Sequence, residues 1–124
     1  MSLTKVSSLL AILGIALGAF GAHALRDRLL ATGSTDTWET AVFYHLVHAI
    51  ALFCVGLLPA EKINCPVRWA ARLWIGGIAL FSGSLYLLAL FKWSFLGPVT
   101  PIGGLLFMAG WAILLFSKAG GPKL

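Results

Sequence analysis

Four apolar runs of membrane length constrain this 124-residue chain more than any other feature. They cover roughly 6–25, 38–58, 69–91 and 101–117 and are separated by short polar stretches. An α-helix rises ~1.5 Å per residue, so about 20 residues cross the roughly 30 Å hydrocarbon core of a bilayer. The expected fold is an all-α membrane protein. Four transmembrane helices form a single domain, 1–124, arranged as two tandem-duplicated hairpins packed into a bundle.

Composition and charge support this reading. The chain is 60% hydrophobic and 10% charged, whereas a soluble domain carries about a quarter charged residues. The net charge of +5 comes with no basic stripe or recognition motif, so nucleic acid is not an expected partner. The basic residues lie between or beside the runs. Lys5, Lys62, Arg68, Arg72, Lys118 and Lys123 fall on one side of a four-span topology, against Arg26, Arg28 and Lys92 on the other. That bias predicts a multi-pass protein of the cell (inner) membrane with both termini in the cytoplasm. Cys54 and Cys65 match no metal or redox spacing, and no disulfide is expected between them.

The first run ends with Ala22-His23-Ala24, which resembles a signal-peptidase site. Its apolar stretch is longer than a typical leader core and rich in glycine, so a retained span is expected. Ser7, Ala11, Gly14, Gly18 and Ala22 form a narrow small-residue stripe suited to close helix contact. Gly76 and Gly83 in the third run, and Gly103 and Gly110 in the fourth, are read the same way. Residues 26–37 read as a loop, with Asp36 and Glu39 as a capping box for the second run. Thr100-Pro101 reads as an N-cap followed by proline at the first helical position.

Sliding the chain against itself by 63 residues aligns Gly14-Ile15-Ala16-Leu17 with Gly77-Ile78-Ala79-Leu80. The same offset aligns Ala49-Ile50 and Leu52-Phe53 with Ala112-Ile113 and Leu115-Phe116, Thr37 with Thr100, and Pro59 with Pro122. There are 13 identities over 61 pairs, which favours duplication of a helical hairpin. His23, His45 and His48 then correspond to Tyr86, Met108 and Trp111, so all three histidines lie in the first half and the polar chemistry is asymmetric.

The second run carries the chain's most informative polar residues. Tyr44, His45 and His48 sit at membrane depth, where an imidazole must face other helices or a wet cavity. With Ser82, Ser84, Tyr86 and the peripheral His23 they form a candidate polar cluster. Three readings apply. A metal or haem site lacks a carboxylate or Cys at ligand spacing. A proton or substrate path lacks an acidic residue in mid-membrane. The favoured reading is structural: the imidazoles bond Ser82, Ser84, Tyr86 or a backbone carbonyl and lock the bundle. No catalytic residue, cofactor or metal is expected, since no hydrolase, kinase or nucleotide-binding motif is present.

Four ordered motifs carry a resemblance. They are Gly18-Ala19-Phe20-Gly21-Ala22-His23; Thr40-Ala41-Val42-Phe43-Tyr44-His45 with His48-Ala49; Phe81-Ser82-Gly83-Ser84-Leu85-Tyr86; and Thr100-Pro101-Ile102-Gly103-Gly104 with Gly110-Trp111. Together they resemble the "domain of unknown function 423" family of small bacterial membrane proteins, which is similar to the eukaryotic transmembrane protein 256. The resemblance implies a four-helix protein of the bacterial inner membrane and carries over no catalytic residues. The function expected is a non-enzymatic membrane component or accessory subunit, with the lipid bilayer and a membrane-protein partner or further copies of itself as partners. The alternative is a small oligomeric transporter or channel using the Tyr44/His45/His48 face.

Overall fold

The computed structural model describes residues 1–118. Lys123 of the charge count and Pro122 of the repeat lie outside the described residues. The helices are α1 (Leu3–Ala22), α2 (Arg26–Ala31), α3 (Thr35–Gly56), α4 (Cys65–Gly77), α5 (Gly83–Phe91) and α6 (Val99–Phe116). A π-helical turn, Ile78–Ser82, joins α4 and α5 into one span, and short 3-10 turns occupy Ala60–Lys62 and Ser94–Leu96. Four segments are long and apolar enough to cross a bilayer: Leu3–Ala22, Thr35–Gly56, Cys65–Phe91 and Ser94–Phe116. The chain is an all-α, four-span membrane protein.

α1 packs chiefly on α3, and α6 chiefly on α4 and the π turn. The two pairs meet where α3 lies against the π turn and α5. One core cluster gathers Leu52, Ala71, Trp74, Ile78 and Phe107; a second, toward the other membrane face, gathers Leu29, Trp38 and Ala89 with Tyr86 against them. Outward positions such as Ile12, Ile15, Ile50, Leu105 and Leu115 are large, apolar and exposed, as a hydrocarbon solvent permits.

The structure departs from the sequence expectations at the helix ends. Residues 26–31 of the expected loop form the short helix α2, which buries Leu29, while its Arg28 guanidinium donates to the Leu90 carbonyl. Six residues are too few for a periodic signal. Gly33, at φ 64°, then turns the chain into α3. The expected capping box does not form. Ser34 precedes the helix and engages Thr32 through its hydroxyl, which leaves Asp36 inside the first turn to complement the helix dipole. Likewise α6 begins at Val99, and the Thr100 hydroxyl reaches Ser84 at 2.6 Å instead of capping. At α4, Asn64 caps the Val67 amide, so Arg68 and Arg72 already belong to the helix. Both cysteines are free.

Candidate functional site

The polar residues of α3 hold the bundle's centre. Six side-chain hydrogen bonds connect different spans among the described residues, and five of them involve α3. The Trp38 indole donates to the Leu17 carbonyl of α1 at 2.9 Å. The Ser82 hydroxyl, at the end of the π turn, donates to the Ala41 carbonyl at 2.8 Å. These carbonyls accept on a second lone pair beside their own helix bonds.

His45 is 1% exposed and bridges three helices. Its Nε2 lies 2.8 Å from the Leu10 carbonyl on α1, and its Nδ1 lies 2.9 Å from the Tyr86 hydroxyl on α5. A carbonyl only accepts, so the ring proton sits on Nε2 and the Tyr86 hydroxyl donates to Nδ1. His48 is 4% exposed and carries the opposite tautomer. Its Nδ1–H donates to the Tyr44 carbonyl one turn back at 2.8 Å, and its Nε2 accepts from the Trp111 indole on α6 at 3.0 Å. The His48 ring also stacks on Phe107, with centroids 3.7 Å apart. For neutral imidazoles every ring nitrogen is occupied. Neither has a lone pair left for a metal in this arrangement, and no cluster of three metal-ligating side chains occurs among the described residues.

The remaining candidates divide. Ser84 bonds the Phe81 carbonyl and Thr100, tying α5 to α6, and touches neither histidine. Tyr44 is 39% exposed, its ring tilted on Phe81, and its hydroxyl has no hydrogen-bond partner among the described residues. It opens onto a groove of ≈ 560 Å³ between α3 and α6, lined also by His48, Phe107, Met108 and Trp111. His23 follows the end of α1, is exposed, and lies apart from the cluster.

Among the expected packing positions, Gly14, Gly18, Gly76 and Gly110 face Leu46, Val42, Leu106 and Trp74 respectively. Gly103 presses directly on the π-turn backbone, whereas Gly83 faces no neighbouring side chain and Ala22 is exposed. Sequence reasoning missed Trp38 and underrated Trp111. The signal was available: an indole N–H in an apolar run needs an acceptor as much as an imidazole does.

A family model described as "Protein of unknown function (DUF423)" matches residues 17–104. The chain belongs to this family. A UPF0382 membrane protein of Staphylococcus haemolyticus is 42% identical over 113 residues, covering 90% of each chain. The UPF0382 membrane protein YwdK of Bacillus subtilis is 42% identical over 107 residues, covering 85% of each. A UPF0382 membrane protein of Schizosaccharomyces pombe is 38% identical over 120 residues, covering 93% of this chain and 99% of its own. No solved structure matches the chain. The family is thus one of membrane proteins of unknown function, and the chain is a multi-pass member of it.

Proposed function

We propose that this family member is a non-enzymatic component of the cell (inner) membrane, with both termini cytoplasmic, acting as an accessory subunit for a larger membrane assembly. The observation that carries this reading is the complete internal use of both imidazoles. Groups that move protons or bind ligands need a free lone pair or a water path; these are spent holding α1, α5 and α6 on α3. The outer faces of α1 and α6 are left to meet partner helices. The groove beside Tyr44 favours one second reading, a small oligomeric transporter or channel, because it brings an unpartnered phenol to membrane depth. Gentle affinity purification of the full chain from native membranes separates the two. Stoichiometric recovery of a different membrane protein supports the accessory subunit; recovery of a homo-oligomer alone rejects it in favour of transport.

A further inference from the structure

A second cavity, ≈ 340 Å³, lies away from the histidines in the crevice between α1, α2 and α3. Its lining on α3 is one face of the helix: Thr35, Glu39, Val42 and Leu46 run along it at helical spacing, with Trp38 and Phe43 beside them. Gly18 and Gly21 of α1 contribute to the facing wall, where Gly18 faces Val42 and the Trp38 indole packs onto Gly21. Two polar groups stand at one end. The Thr35 hydroxyl oxygen is buried and has no hydrogen-bond partner among the described residues. Glu39, one turn further along α3, is exposed, and no ion pair forms among the described residues. Of the two cations on the neighbouring short helix, Arg28 is engaged with the Leu90 carbonyl and the face of Phe91, and Arg26 forms no ion pair with Glu39. An unsatisfied hydroxyl and an uncompensated carboxylate at the top of an apolar crevice call for a donor-rich cation.

The dimensions name the source of that cation. From Thr35 to Leu46 the stripe runs roughly 16 Å along the helix, against ~15 Å for half of a bilayer's hydrocarbon core. The crevice therefore spans one leaflet, with its polar end where a headgroup sits and its apolar end in mid-membrane. We infer that this crevice is a binding site for one membrane lipid with a primary-amine head. The ammonium group is received by Glu39 and Thr35, and one acyl chain lies over Gly18, Val42, Phe43 and Leu46. A phosphatidylglycerol head would set a like charge beside Glu39. A phosphatidylcholine head keeps the positive charge but has no N–H to donate.

The test uses the full chain purified in detergent, with phosphatidylethanolamine, phosphatidylcholine or phosphatidylglycerol added in turn. Native mass spectrometry should show one retained phosphatidylethanolamine, and this lipid should raise the melting temperature more than the other two. Glu39→Gln should weaken retention about tenfold, the effect of losing one charge-assisted hydrogen bond. Thr35→Val removes the orphan hydroxyl at constant shape, so the lipid-free protein should melt no lower than the wild type while retention still falls. Equal retention of phosphatidylglycerol or phosphatidylcholine overturns the assignment, and so does undiminished retention by Glu39→Gln.

Discussion

At the scale of residues, the donor and acceptor inventory decides what the two histidines do. His45 holds its proton on Nε2 and His48 on Nδ1, because the acceptors at Leu10 and Tyr44 are carbonyls and the Trp111 indole is donor-only. The two sites respond differently to added charge. A second proton on His45 would meet the Tyr86 hydroxyl, which rotates to accept it; on His48 it would meet an indole that only donates. Interhelical hydrogen bonds in membranes average about 0.6 kcal/mol and reach roughly 1.7. A double-mutant cycle of His48→Ala and Trp111→Phe, followed by unfolding in detergent, should therefore return a coupling of about 1 kcal/mol. His45→Ala removes two such bonds and leaves a void between three helices, so it should destabilise by about 2–4 kcal/mol. An unchanged melting temperature for His45→Ala would contradict the structural role. The histidines themselves were legible in the sequence, since imidazole in an apolar run stands out. Of their partners, Tyr86 and backbone carbonyls were expected; which carbonyls, and the Trp111 indole, were not, and Ser82 and Ser84 turned to other acceptors.

At the scale of elements, the third span is organised by its π turn. A Cβ on Gly103 would stand 2.2 Å from the Phe81 nitrogen and 2.7 Å from the Leu80 carbonyl carbon. Backbone cannot swing aside as a side chain can, so α6 reaches the widened turn only with glycine at that position. Gly103→Ala should separate α6 from the turn and lower stability by more than about 2 kcal/mol. Gly83→Ala is the control. The nearest atom to its Cβ is the Ile78 carbonyl oxygen at 3.9 Å, and alanine is the better helix former by up to about 1 kcal/mol. Thermal unfolding of both variants in one detergent checks the contrast; equal losses would show that the two positions pack alike. The small-residue stripes were visible in the sequence, but nothing in them distinguished Gly103 from Gly83. The π turn also bears on the proposed duplication, because residues 78–82 align with 15–19, a stretch of regular helix in α1. If the halves are copies, the second acquired an irregular turn where the first stayed straight. The bond between His48 and Trp111 joins positions that the 63-residue offset makes equivalent.

At the scale of the whole molecule, four crossings put both termini on one side, and the side is testable with native residues. Cys65 is free, exposed and at the start of α4, beside the 60–64 connection. In intact cells of a Cys54→Ala variant, a membrane-impermeant maleimide should leave Cys65 unlabelled. Labelling should appear only after permeabilisation, in keeping with the excess of basic residues on that side. Labelling of intact cells would invert the proposed orientation.

Length and apolarity alone determined the number of spans, because a bilayer leaves a 20-residue uncharged run few other places to go. The same terms required the intramembrane imidazoles to turn inward, since hydrocarbon offers them no partner. Only the tertiary structure decided which acceptor each ring nitrogen found, that residues 26–31 fold back as a helix, and that Glu39 and Thr35 share a crevice with two glycines of α1. Those outcomes depend on distances between helices, and distances are set by how side chains interlock across elements far apart in the chain. Composition and periodicity describe each element by itself.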